Sequence, residues 1–310
     1  MQLSARYRIT HRTRYSYSSP VAICQNQLRM MPRSHASTYN SVECEFATAT
    51  ISPEPSVLCE HNDYFGNRIV SFAIETLHEE LVVTARSEVL VRYATIDATD
   101  VAWSCVRDAV RLSKDSGWYE AQEFSHDSPR IRRSHQFAEY ASKSFPDGRD
   151  ILDATLELTR RIHDDFRYDT SATHVDTKPE DSFRRRAGVC QDFAHVQIAC
   201  LRSIGIPARY VSGYLRTVPP EGQARLIGAD ESHAWLACYC GETLGWIEFD
   251  PTNACLANCS HVPICIGRDY SEVSPMRGVV LGGGTTNLEV NVDVEPLDTP
   301  EDGFPQGEAV

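Results

Sequence analysis

Three short segments of the 310-residue chain carry a cysteine, a histidine and an aspartate whose surroundings suit one chemical task. Cys190 follows Gly188-Val189 and opens the stretch Val189–Ile204, which reads as a buried helix through Phe193, Val196, Ile198, Leu201 and Ile204. A helix N-terminus turns free N–H groups and its positive dipole end toward the sulfur, which favours thiolate over thiol. His233 stands in Ser232-His233-Ala234-Trp235, and Asp250 ends Gly245-Trp246-Ile247-Glu248-Phe249-Asp250. Both segments read as strands. Alternation groups His233, Trp235, Ala237 and Tyr239 on one face, and Trp246, Glu248 and Asp250 on one face of the other. A return at Gly241-Glu242 sets His233 directly across from Asp250. A longer turn shifts the match by about two residues and can keep both on the same side. Cross-strand neighbours lie roughly 5 Å apart, so the carboxylate can hold the imidazole.

A nucleophile, a base and a third group that orients the base form the general triad arrangement. Here Cys190 would attack a carbonyl, His233 would carry the proton, and Asp250 would fix the ring. The backbone N–H of Cys190 is a ready oxyanion donor. Tyr168 and Trp235 are the further residues assigned to the substrate and oxyanion side, although Tyr168 also fits a plain packed aromatic.

The rest of the chain must position these groups. From Leu3 to Tyr17 the odd positions include Leu3, Tyr7, Ile9, Tyr15 and Tyr17, while Arg6, Arg8, Arg12 and Arg14 fill even ones. That is a strand with one buried and one wet face. Further β-rich runs at 41–51, 68–74 and 80–93 make residues 1–100 an antiparallel β-rich domain. Residues 101–295 form the core with a helical lead-in. Within it 102–113 is weakly helical, 116–129 reads as a loop, and Ile151, Thr155, Leu158, Ile162 and Phe166 mark an amphipathic helix. Gly205 and Pro207 end the Cys190 helix. Strands follow at 208–215, 232–240, 245–250 and 287–294. Residues 296–310, with three prolines and several acids, read as a flexible tail. The fold class is α+β.

Composition excludes several classes. With 43 Asp+Glu against 30 Lys+Arg, net −13, the chain is a poor nucleic-acid partner. No stretch approaches the roughly 20 apolar residues that span a bilayer, and the first residues lack a signal core. A cytoplasmic protein with no membrane partner is the expectation. Eleven cysteines, an odd number without regular spacing, do not make a disulfide framework. Cys238, Cys240, Cys255, Cys259, His261 and Cys265 form a loose group whose spacing matches no standard zinc site, so no metal or other cofactor is expected. Arg184-Arg185-Arg186 reads as a solvated charge run, His11 and His195 as packed or hydrogen-bonded histidines, and Gly282-Gly283-Gly284 as a flexible connection.

The runs Gly188-Val189-Cys190-Gln191-Asp192-Phe193-Ala194-His195, Gly205-Ile206-Pro207-Ala208-Arg209-Tyr210-Val211-Ser212-Gly213-Tyr214, His233-Ala234-Trp235 and Asp250-Pro251-Thr252-Asn253 resemble the bacterial transglutaminase-like superfamily. The opening strand resembles the β-rich region that precedes the core in those proteins, and Gly267-Arg268-Asp269-Tyr270 their C-terminal part. The resemblance implies a papain-like core with Cys190, His233 and Asp250 as its triad. It implies a cysteine peptidase or amidase acting on peptide or protein amides through a thioester, with hydrolysis favoured. Protein-glutamine transamidation is the alternative. A silent binding module of the same fold and a peptidoglycan-type thiol hydrolase are the remaining readings.

Overall fold

A computed structural model describes residues 2–96, 100–112, 116–217 and 231–297. The N-terminal half supplies β1 (Gln2–Leu28), β2 (His35–Ala36), β3 (Asn40–Ser52), β4 (Val57–Asn62), β5 (Arg68–Ile74) and β6 (His78–Ala94). Four helices follow: α1 (Trp103–Leu112), α2 (Ser116–Glu123), α3 (His135–Ser142) and α4 (Ile151–Asp165). Then come β7 (Arg167–Tyr168), α5 (Pro179–Arg185), β8 (Ala187–Gly188) and α6 (Cys190–Ser203). The second sheet uses β9 (Ala208–Leu215), β10 (Glu231–Tyr239), β11 (Trp246–Asp250), β12 (Cys255–Leu256) and β13 (His261–Gly267). The described part ends with α7 (Tyr270–Val273), β14 (Met276–Gly282) and β15 (Thr286–Pro296). The mixed α and β architecture is the one expected.

The long strand β1 is the spine of an eight-stranded sheet ordered β2-β3-β6-β1-β5-β4, with β14 and β15 also on β1. Its first half lies between β6 and β15, and its second half, beyond a register break after Ser16, between β5 and β14. The alternation sorts faces as expected. Tyr7, Ile9, His11 and Thr13 are buried, while Arg6, Arg8 and Arg14 point outward toward Glu45, Glu88 and Glu80. Such exposed pairs add little stability, so the buried face defines the strand.

The second sheet runs β12-β11-β10-β9-β13 and packs against α6, a helix whose residues from Asp192 to Arg202 are all buried. At its C-terminus Gly205 adopts φ +85 and the Ile206 N–H bonds back to Leu201 O, which closes the helix before Pro207. Tyr7, Ile9, Val89, Val91 and Tyr93 of the first sheet share one continuous core with α6 and β10. Sheet and core are therefore packed as one body, with a smaller apolar cluster under the other half of β1.

Three expectations need correction. Residues 116–123 form a helix rather than a loop, because Ala121 is buried and Trp118 packs edge-on to Tyr239 at 5.4 Å. Residues 276–296, expected in the core as far as 295, belong by pairing to the first sheet: β14 and β15 return to β1, where Val292 and Val294 complete the buried face. Gly282, Gly283 and Gly284 all have positive φ and form the ordered turn between them, with Gly283 bonded to the backbone of Ser19 and Pro20. Most of the expected tail, residues 298–310, lies outside the described residues.

A chain ending at Ser274 would strip β1 of β14 and β15 and leave one edge of that strand without its hydrogen-bond partners. The expected outcome is loss of a cooperative thermal transition by circular dichroism; an unchanged melt would show that the last two strands do not support the sheet.

Candidate functional site

Cys190 is held from both sides of its helix entry. β7 and β8 pair in parallel, with Tyr168 level with Gly188, and place the Cys190 amide at the first position of α6. The first amides of a helix have no intrahelical acceptor, so this N–H points outward beside the sulfur. Asp192, 2% exposed, accepts hydrogen bonds from Val189 N–H (2.9 Å), Thr173 Oγ1 (2.7 Å) and Ser182 Oγ (2.7 Å). It ties the entry turn to the preceding loop and to α5. Gly188 is required there: a Cβ would come within 2.5 Å of Asp192 Oδ2.

β10 and β11 pair Leu236 with Phe249 and Tyr239 with Trp246. The turn is thus longer than two residues, and continuation of the register sets Trp235, not His233, level with Asp250. The two functional side chains meet on the diagonal, on the shared face the alternation assigns them. His233 Nε2 donates to Asp250 Oδ2 at 2.7 Å, which leaves Nδ1 for the hydrogen bond between His233 and Cys190.

Asp250 is fully buried and collects five hydrogen bonds. Its Oδ1 accepts Thr252 N–H (2.8 Å) and Asn253 N–H (3.3 Å). Its Oδ2 accepts Asn253 Nδ2 (2.6 Å), His233 and a second imidazole, His261 Nε2, at 3.0 Å. Because His261 Nδ1 accepts the Asn258 N–H at 3.2 Å, its proton sits on Nε2 and is donated to the carboxylate. Burial alone would raise the Asp250 carboxyl, but His233 and then His261 hold it well below the ordinary range. Burial would likewise lower His233. The charge and hydrogen bond of Asp250, followed by Cys190, overcome it and push His233 up to about 10. A protonated imidazole against sulfur is the partner a reactive thiolate needs.

His261 was not foreseen. In the sequence it is one member of a loose Cys/His group, and the pairing of β13 with β9 is what brings it within reach of Asp250. Gly213, level with both His233 and Pro263, marks the crossing. A Cβ there would lie 2.3 Å from Val262 O and 2.4 Å from Trp235 Cη2. A glycine inside a strand was the available signal.

His233, Asp250 and His261 offer three atoms within 4.8 Å of one another, the spacing of a metal site. Both imidazole nitrogens already donate to the carboxylate, so the cluster is complete as a hydrogen-bonded unit. Cys238, Cys240, Cys259 and Cys265 are buried free thiols. Trp235 requires correction: it is completely buried and its indole N–H donates to Glu248 Oε2 at 2.9 Å, so it offers a substrate neither surface nor donor. Tyr168 is half exposed at the rim, its ring edge-on to Phe193 at 6.3 Å. His195 Nε2 accepts the Tyr270 N–H. Arg184 is exposed, but Arg186 stacks over Tyr140, Phe166 and Phe183 and does not belong to a solvated run.

Two family models match the chain. One is the bacterial transglutaminase-like N-terminal region, over residues 7–90, and the other the transglutaminase-like superfamily, over residues 138–251. An uncharacterized protein of Mycobacterium tuberculosis (strain H37Rv) is 34% identical over 305 residues, 94% of this chain and 93% of that one. The protein-glutamine gamma-glutamyltransferase of Pseudomonas aeruginosa is 31% identical over 138 residues, 44% of this chain and 20% of that protein. A solved structure, "a Putative Cysteine Protease from Cytophaga hutchinsonii", superposes with a TM-score of 0.75 at 22% identity, covering 100% of this chain and 97% of that one. The chain belongs to the transglutaminase-like superfamily and has its fold. Among the described residues no helix is long and apolar enough to cross a membrane.

Two outcomes follow from this geometry. Since His233 is raised in the fold, its contribution is complete below its unfolded value of about 6.5 and is lost as pH climbs through about 10. The contribution of the lowered Asp250 is present above about 4 and lost as pH falls below it. The Asp250→Asn variant is therefore expected to flatten the decline of Tm between about pH 7 and 10; an unaltered slope would remove the ion pair. Gly213→Ala is expected to cost about 1–3 kcal/mol in urea titration, because backbone and indole must both shift.

Proposed function

We propose that the chain is a thiol-dependent enzyme acting on amide bonds of peptides or proteins, with Cys190, His233 and Asp250 as its triad and water as the usual acceptor. The observation that carries the reading is the position of the His233 ring, bonded to Cys190 on one edge and to a buried Asp250 on the other, an arrangement that favours its charged form. Cys190 Sγ adds to the amide carbonyl carbon, and the oxyanion that forms is met by the Cys190 N–H. His233 gives its proton to the leaving nitrogen, the C–N bond breaks, and an acyl thioester remains. Water, losing one proton to His233, then adds to the thioester; the C–S bond breaks, releasing a carboxylic acid and leaving the Cys190 thiolate beside the protonated His233. Asp250 remains ionised throughout and stabilises the imidazolium.

Transfer to an amine is the second reading, supported by the 138-residue match to a protein named for glutaminyl transfer. The same thioester serves both, and the acceptor decides. Tyr168 flanks the Cys190 entry and is our choice for a residue touching substrate. All eleven cysteines are free thiols, which favours a reducing, cytoplasmic setting.

Iodoacetamide labelling followed by peptide mass mapping tests the nucleophile. Cys190 is expected to react ahead of the more exposed Cys59 and Cys105, and His233→Ala to slow it by about 10²-fold or more. Equal labelling of the three would overturn the proposal. A glutamine-containing peptide library, incubated with and without a primary amine, separates the acceptors by product mass; amine adducts dominating at modest amine concentration would replace hydrolysis by transfer.

A further inference from the structure

Behind His233 lies a second buried carboxylate that the triad does not use. Glu248, 3% exposed, sits two residues before Asp250 on the same face of β11. Its Oε2 accepts Trp235 Nε1 at 2.9 Å and Tyr93 OH at 3.1 Å, and its Oε1 accepts Asn40 Nδ2 at 2.9 Å. Asn40 and Tyr93 belong to β3 and β6, the N-terminal sheet, and their backbones are register partners. The Tyr93 hydroxyl oxygen also lies 3.4 Å from the His261 carbonyl oxygen, which places it between Glu248 and the strand carrying the second imidazole. Tyr39 packs edge-on to Tyr93 at 5.3 Å and donates to Ala257 O.

The indole held by Glu248 is the surface on which the site's imidazoles rest. His233 stacks on Trp235 with centroids 5.8 Å apart and planes 29° apart, and His261 meets the same indole edge-on at 5.2 Å. Trp235 is completely buried and cannot move without removing the N–H from a buried carboxylate. We propose that the N-terminal sheet is a positioning element for the reacting pair: Asn40 and Tyr93 hold Glu248, Glu248 holds the Trp235 indole, and the indole with His261 sets the His233 ring between Asp250 and Cys190. The inference rests on the proposed role of Cys190 and His233 and extends it to a sheet that contributes no reacting atom. Asn40 and Tyr93 are positioning residues, and so is Glu248.

A docking role and a positioning role separate by comparison with Asn67. This fully buried side chain also joins sheet to core, exchanging two hydrogen bonds with the Ile266 backbone (2.8 and 2.9 Å), a set of bonds separate from those that hold Glu248 and the Trp235 indole. Tyr93→Phe, Asn40→Ala and Asn67→Ala would be prepared in the full chain. Each would be measured for Tm, for the rate of Cys190 alkylation by iodoacetamide, and for the titration midpoint of His233 by NMR of labelled histidine. The expected result is about tenfold slower alkylation and a lower His233 midpoint in Tyr93→Phe and Asn40→Ala. Asn67→Ala should lose Tm while keeping the rate and midpoint of the wild type. Should Tyr93→Phe not fold, Asn40→Ala carries the same comparison. Wild-type rate and midpoint in the folded sheet variants would overturn the inference and leave the triad reading standing. A wild-type Cys190 no more reactive than Cys59 would overturn the triad reading, and the inference with it.

Discussion

Two carboxylates buried on one face of a five-residue strand set the demand that the rest of the fold meets. A buried anion is tolerated only when donors surround it. Asp250 draws its donors from β10, β13 and the turn that follows β11, and Glu248 draws its own from β10 and the N-terminal sheet. Five separate stretches of chain, β3, β6, β10, β13 and the turn after β11, therefore converge on β11 because its two carboxyl side chains cannot otherwise be buried with their hydrogen bonds satisfied. The His233–Cys190 contact is a consequence: once Asp250 and Trp235 are fixed, the imidazole has one orientation left.

The parts of the site that depend on local pattern were legible in the sequence. The glycine and the apolar helix after it located Cys190, and alternation along two strands placed His233 and Asp250 on a common side before the register was known. Register itself was not legible, since it depends on how many residues the turn between Cys240 and Gly245 uses; the Cys240 N–H to Gly245 carbonyl bond closes a longer loop than the minimal hairpin. His261 was hidden for a different reason. Its place is set by a long-range pairing of β13 with β9, and no spacing along the chain encodes which strands become neighbours. Trp235 misled because an aromatic beside a functional histidine has the right chemistry for a substrate wall, whereas burial against Glu248 decides its role.

The same limit explains the ends of the chain. Period-two patterning identified residues 287–294 as a strand but carried no information about its sheet. The return of β15 to β1 matches Tyr7 with Pro296 and Tyr17 with Thr286, pairs more than 260 residues apart in sequence. Helix α2 shows the complementary failure: its local residues are poor evidence for a helix, and Trp118 and Ala121 gain their packing surface only from distant Tyr239 and the core.

These connections change what the division of the chain into an N-terminal region and a core means physically. Both β6 and β14 belong to the first sheet, so the segment between them, which carries Cys190, His233 and Asp250, leaves that sheet and returns to it. An insertion with both ends fixed in one sheet has less freedom to rotate than a domain on a single linker. Shared burial of Tyr7, Ile9, Val91 and Tyr93 with α6 and β10 reduces it further. A sheet bound this firmly to the core can support the ring stack behind His233, because displacement at Tyr93 must either break its bond to Glu248 or carry β11 along. The geometry that makes the sheet a firm support also explains why its strands supply hydrogen-bond donors to the site and no reacting group.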